Sequence, residues 1–260
     1  MNDDRHDGCE ARELAGRARG LTKRFGRKDA VRGVDLDLDA GGVTVLLGAN
    51  GAGKTTFLRL LLGLIRPTAG TIELLGLDPV TDGDALRRRV GVVPDHPDAY
   101  GWMTPARWFD FLAPHYPTWD EALAGAIADE LGVPLRTRFR SLSRGEATKA
   151  MLVAAVAFRP DLLVLDEPFG RLDPIAREEV LRAVIGQIRE RGRTVLLSTH
   201  DLDLAARVAD RVLVMRDGRI VRDAAPDDLG DPGASTPTTE RLRHALLADH
   251  ALATEDAPCS

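Results

Sequence analysis

Residues 43–64 read as three pieces in direct succession: the apolar run Val43–Leu47, the glycine-rich segment Gly48–Thr55 and the apolar helical pattern Thr56–Leu64. A continuous apolar, partly β-branched run is the pattern of a strand buried on both faces. Followed by a glycine loop and a helix, it commits the chain to an α/β fold with a parallel sheet. The segment Gly48-Ala49-Asn50-Gly51-Ala52-Gly53-Lys54-Thr55 meets every fixed position of GxxxxGK[ST]. Glycines there let backbone N–H groups converge on phosphate oxygens, and the following helix adds its N-terminal dipole. Lys54 then reaches the β- and γ-phosphates, and the Thr55 hydroxyl ligates Mg²⁺. A turn that merely starts a helix is the plainer alternative. The buried strand before it and the apolar helix after it weigh against that.

The rest of the chain keeps the alternation. Strand patterns occur at Val34–Asp39, Val90–Val93, Asp161–Leu165, Thr194–Ser198 and Arg211–Met215, with helical patterns at Glu178–Arg191 and Leu202–Ala209. Residues 96–160 differ in texture, with prolines, most of the aromatics and helical patterns at Trp119–Leu131 and Gly145–Phe158. The organisation expected is a disordered tail at 1–12, an α/β body at 13–222 with a helical insertion at about 96–160, and an extension at 223–260.

The run Leu162-Leu163-Val164-Leu165 ends in Asp166-Glu167. That places two acids at a strand's carboxyl end, where open parallel sheets bind ligands. Asp166 suits Mg²⁺ through a coordinated water, and Glu167 suits a general base that polarises an attacking water. Alone the pattern is weak; beside a phosphate loop it is strong.

Between the two lies Leu142-Ser143-Arg144-Gly145-Glu146, opening a helix. This resembles the LSGGQ signature of ATP-binding-cassette (ABC) ATPases, and the rest of that family's order is present. Phe25 resembles the aromatic that stacks on adenine, Pro168 follows Glu167, Leu172-Asp173 resembles the D-loop, and His200 resembles the switch histidine. The resemblance covers about residues 13–222 and implies a P-loop ATPase fold: a mostly parallel sheet, an N-terminal antiparallel β part and a helical subdomain.

The resemblance also implies roles. Two domains would pair head to tail, with ATP between the phosphate loop of one and the signature of the other. Phe25, Gly48, Asn50, Gly51, Ala52, Gly53, Lys54, Thr55 and Thr56 would hold the nucleotide from one side. Ser143 and the Gly145 N–H, with Asp173 nearby, would meet it from the facing chain. Glu167 and His200 would be catalytic, and Thr55, Asp95 and Asp166 would serve Mg²⁺. Three departures stand out: Asp95 where the family has glutamine, Arg144 and Glu146 within the signature, and Gly170-Arg171 before the D-loop's Leu-Asp. A carboxylate at 95 suits a hard cation but repels a γ-phosphate.

Composition narrows the use of such an ATPase. The net charge of −5 argues against a broad basic face for nucleic acid. Cys9 and Cys259 offer neither a disulfide framework nor a metal motif. Apolar runs are too short to span a bilayer, and the polar start lacks a signal core, so a cytosolic chain is expected. A soluble ABC ATPase for DNA repair, chromosome organisation or translation would need coiled-coil insertions, zinc motifs or tandem cassettes, and none is visible. The expectation is a transporter subunit, peripheral on the membrane's inner face, paired with a second ATPase chain (the same or different) and a separate permease. Met103–Asp120 resembles export-type subunits encoded with small-molecule or antibiotic permeases. Aromatic residues crowd into 100–119. Tyr100, Trp102 and Met103 are expected in the permease groove, and Trp108, Phe111 and Trp119 in the subdomain core. His96 and the remaining histidines are expected at the surface.

Overall fold

A computed structural model describes residues 13–97, 99–170, 172, 177, 178, 180, 181, 192–228 and 238–247. Its centre is a six-stranded sheet. The strands are β3 (Gly42–Leu47), β5 (Val90–Val93), β6 (Leu162–Asp166), β7 (Thr194–Thr199), β8 (Arg211–Arg216) and β9 (Arg219–Ala224), in the order β5-β6-β7-β3-β8-β9. All neighbours are parallel except the terminal pair β8–β9. Register sets Leu47 opposite Thr199, Asp166 opposite Ser198 and Val93 opposite Leu165. The carboxyl ends of the five parallel strands therefore open on one edge, the place where such sheets take ligands.

Side-chain alternation along these buried strands feeds two cores. Val43, Val45, Leu47, Leu163, Leu165, Val195 and Leu197 face one side, with α5 (Arg144–Ala157) and α6 (Leu202–Val208). Leu46, Val164, Leu196 and Leu213 face the other, with α1 (Lys54–Leu61) and a second, antiparallel sheet. That sheet has the order β2-β1-β4, from β1 (Leu14–Phe25), β2 (Lys28–Asp39) and β4 (Ala69–Leu74). This is the P-loop ATPase fold with its antiparallel part. β4 escapes a sequence reading because half of it is Ala-Gly-Thr, all exposed.

The helical region holds α3 (Pro105–Leu112), α4 (Glu121–Glu130) and α5, while the short α2 (Gly83–Arg87) precedes β5. Thr104 caps α3 through the Arg107 N–H, with Pro105 preset at the first turn. Asp120 caps α4, bonded to the Leu123 N–H and to Arg159, and these hold its carboxyl below the usual range. α5 buries ten of its fourteen residues, as a helix apolar all round must. Of the expected helix Glu178–Arg191, only Glu178, Val180 and Leu181 lie within the described residues. A final helix, α7 (Thr238–Leu247), packs on α6 with Leu242 fully buried. Among the described residues no helix is long and apolar enough to cross a membrane.

The aromatic cluster divides differently from expectation. Met103 is buried, whereas Tyr100 and Trp102 stand exposed and stack on each other at 5.8 Å. An apolar cavity of about 270 Å³ lies between the sheet side (Leu62, Leu64, Val90) and the helical side (Trp108, Leu112, Phe158). Trp108 thus faces a groove while its edge meets Phe139 at 5.4 Å. Phe111, expected in the core, is exposed against His115. Trp119 is half-buried beside Phe109. Trp108 and Leu112, four apart on α3, line the cavity together, while Phe111 between them on the same helix does not.

Candidate active site

The loop after β3 is pinned by its glycines. Gly53 has φ 108°, and a side chain there would meet the Ala30 carbonyl oxygen at 2.4 Å. A Cβ on Gly48 would run into the Met215 carbonyl oxygen at the same distance, 2.4 Å. The loop therefore lies flat against β2 and the β8–β9 turn, where the Gly218 N–H donates to the Ala52 carbonyl at 2.9 Å. α1 starts at Lys54, two residues earlier than its apolar pattern suggests, so Thr55 and Thr56 occupy its first turn.

A cavity of about 320 Å³ opens over this loop. Asn50, Gly51, Gly53, Lys54, Thr55 and Thr56 form its floor, and Asp95 and Glu167 one wall. Lys28, Asp29 and Arg32 of β2 close the opposite side. Lys54 is buried, and its Nζ donates to the carbonyls of Gly48 (2.6 Å) and Ala49 (3.2 Å). The same Nζ forms an ion pair with Glu167 Oε1 at 3.1 Å. Two donors are thus held by loop oxygens, and the acid opposite pairs with the cation by charge, its buried Oε1 accepting no hydrogen bond among the described residues. An entering phosphate would exchange with these partners.

Glu167 is one of four described non-glycine residues with positive φ, at 49°. Its N–H donates to the Ser198 carbonyl at 3.1 Å, which fixes the bend after β6. Its Oε2 lies 2.9 Å from His200 Nδ1, at the end of β7. Glu167 therefore spans the cation of the phosphate loop and an exposed histidine. Asp166 is buried beneath it and accepts a 2.5 Å bond from Ser198 Oγ, a partner that sheet register supplies and that spacing does not reveal. Asp166 does not line the cavity, a position suited to holding a cation through water.

Phe25 ends β1 half-exposed, with Lys23 Nζ 5.1 Å from its ring centre. Its cross-strand partner Lys28 lines the cavity; Phe25 itself does not. Ser143 and Gly145 open α5 away from the cavity wall. Ser143 Oγ accepts from the Glu146 N–H (3.2 Å), and Glu146 Oε2 accepts from the Ser143 N–H (2.7 Å). This reciprocal cap gives Glu146 a structural use at the family's glutamine position, and those bonds lower its pKa. The cap is complete at neutral pH and weakens as pH falls through that lowered value. Leu172 approaches Gly145, where an added Cβ would sit 3.1 Å from Leu172 Cδ2. Asp173 and Arg171 lie outside the described residues. His96, read from sequence as a plain surface residue, is exposed but bonded to Arg144.

A phosphate loop at the end of one parallel strand, served by an acid and a histidine from the next two, defines a P-loop nucleotide-hydrolysing enzyme. The ABC transporter family matches residues 31–170, more than half the chain, and the chain belongs to that family as an ATP-binding ATPase subunit. It is 37% identical over 224 residues to the osmoprotectant import ATP-binding protein OsmV of Salmonella typhimurium, covering 80% of this chain and 58% of that protein. It is also 37% identical over 232 residues to the Nod factor export ATP-binding protein I of Burkholderia lata, covering 81% and 71% respectively. A solved ATP-binding subunit of an ABC transporter superposes with a TM-score of 0.79 at 27% identity, covering 89% of this chain and 99% of that one.

Proposed function

We propose that this chain binds ATP with Mg²⁺ and hydrolyses it between two paired ATPase chains, powering movement of a small molecule through a separate permease. The observation that carries the chemistry is Glu167 placed between Lys54 (3.1 Å) and His200 (2.9 Å) at the open end of the sheet. A γ-phosphate arriving at Lys54 draws that cation off Glu167. The carboxylate, still held by His200, is then available to take a proton from water. Gly48–Thr56 bind the phosphates, Phe25 offers its exposed ring to the base, and Ser143, Gly145 and Asp173 serve the nucleotide of the facing chain.

Thr55, Asp95 and Asp166 supply only oxygen donors, which fits a hard cation that keeps waters and shares phosphate oxygens. Among the described residues no three His, Cys, Asp or Glu side chains form a closed metal cage, so such an ion would depend on the nucleotide for ligands. The ion would neutralise charge that develops on the phosphates. Asp95→Asn is expected to raise the Mg²⁺ concentration for half-maximal ATPase activity about tenfold, ~1.4 kcal/mol of ligand affinity. An unchanged Mg²⁺ requirement with tighter ATP binding would instead make Asp95 a repelling charge.

The groove between the sheet and α3 suits an apolar helix of the permease, which would hold the subunit at the inner membrane face. Leu64 stands 59% exposed at its rim, so Leu64→Asp spares the core. We expect it to leave ATP binding intact and to weaken co-purification with the permease by about 2 kcal/mol, roughly thirtyfold. Undiminished assembly would move the partner surface to Tyr100 and Trp102.

We read the direction as export, from the resemblance of residues 103–120 and from the Nod factor relative. Import is the second reading, favoured by the osmoprotectant, phosphonate, sulfonate and sulfate import relatives. Transport into or out of sealed vesicles carrying the complex, with ATP on the side of this chain, separates the two.

A further inference from the structure

Two loops that serve different surfaces meet through one side chain. The loop after β5 carries Asp95 into the cavity wall beside Lys54 and Glu167. The start of α5 carries its cap Ser143 and its first residue Arg144, the latter 48 residues from His96 in sequence. His96 stands between them: Nδ1 lies 3.1 Å from an Arg144 guanidinium nitrogen and Nε2 lies 3.7 Å from Asp95 Oδ2. A guanidinium only donates, so Nδ1 accepts. In the neutral ring the proton then sits on Nε2, aimed at the Asp95 carboxylate.

The two contacts differ in strength. The arginine bond is of ordinary length, whereas 3.7 Å is beyond a hydrogen bond. Asp95 and His96 are neighbours on the same loop, so a turn of either side chain that closes the gap by under about 1 Å makes the second contact while the first holds. Arg144 also lies inside the Ser143–Glu146 cap, and its carbonyl accepts from Thr148 Oγ1 at 2.9 Å, so a pull on its guanidinium acts on the first turn of α5.

We propose that His96 is a positioning residue that ties the state of this chain's own nucleotide cavity, through Asp95, to the setting of the Ser143–Glu146 turn. The proposal rests on the nucleotide reading above and adds a route within one chain. Arg144 and Asp95, two of the departures from the family pattern, become the two ends of one contact chain.

Hydrogen–deuterium exchange on the full chain tests this, in a Glu167→Gln background and at a dilution where centrifugation shows monomer. With ATP and Mg²⁺, exchange is expected to slow at 48–55 and to change at 142–147. His96→Ala keeps the first response and reduces the second at least about fivefold. Gln can accept from Arg144 and donate to Asp95, so His96→Gln retains both. In the hydrolysing chain, His96→Ala lowers kcat while KM for ATP stays within about twofold. An undiminished response at 142–147 in His96→Ala overturns the proposal. So does its loss in His96→Gln as well, which marks simple packing. A response at 48–55 without one at 142–147 in the parent overturns the coupling and leaves the nucleotide site standing. No response at 48–55 removes both.

Discussion

Lys54→Ala is expected to abolish ATP binding at concentrations where the unaltered chain saturates. Lys54 Nζ is buried at the loop's centre, bonded to two loop carbonyls and paired with Glu167. A phosphate entering there gains two or more charge-assisted hydrogen bonds, each contributing about 1.5–3 kcal/mol. Their loss amounts to ~3–6 kcal/mol, or roughly 10²–10⁴ in affinity. No neighbour replaces them. The other described cations on the cavity wall, Lys28 and Arg32, lie exposed on the β2 side. Removing Lys54 also leaves Glu167 without its cation, so Lys54→Met, which keeps the aliphatic stem, is the companion variant. Titration calorimetry with ATP, together with thermal melts of both variants, reads the effect. Near-normal affinity in a folded Lys54→Met chain would sink the phosphate-loop assignment.

That site is legible in the sequence because its chemistry is local. Eight consecutive residues carry the loop, and the strand end Asp166-Glu167 and the histidine after β7 are each read in a single window. What spacing does not carry is which strands lie side by side. The order β5-β6-β7-β3 sets Ser198 opposite Asp166, and that register creates the 2.5 Å bond orienting the carboxylate. His96 and Arg144 are likewise brought together only by tertiary packing. The aromatic density at 100–119 divides between the apolar cavity, lined by Trp108 and Tyr116, and the exposed stacked pair Tyr100–Trp102. The period-four pair Trp108–Leu112 is the signal that helix spacing carries for that cavity. Residues 144 and 146 look like damaged signature positions when compared with a family pattern. In three dimensions Glu146 closes a capping box and Arg144 contacts His96, so both have local work.

Glu167→Gln is expected to preserve ATP binding while slowing hydrolysis by ~10²–10⁴, the usual contribution of a positioned general base. The amide has the same shape as the carboxylate. It keeps the bend at φ 49°, because the Glu167 N–H to Ser198 carbonyl bond involves only backbone. It also retains a polar atom for His200. It cannot accept a proton from water, and it removes the negative charge that sits 3.1 Å from Lys54. Both changes favour a long-lived ATP state: Lys54 is released to the phosphate, and one repulsion beside the γ-phosphate is gone. Ser143 and Gly145 do not line the cavity that holds Lys54, and in the paired arrangement proposed above those of the facing chain would cover the trapped nucleotide. The variant should therefore elute as a dimer with ATP and Mg²⁺ and as a monomer with ADP, while single-turnover assays show the slowed step. Elution as monomer with bound ATP, both alone and with the permease, would remove the paired arrangement and leave a one-chain ATPase.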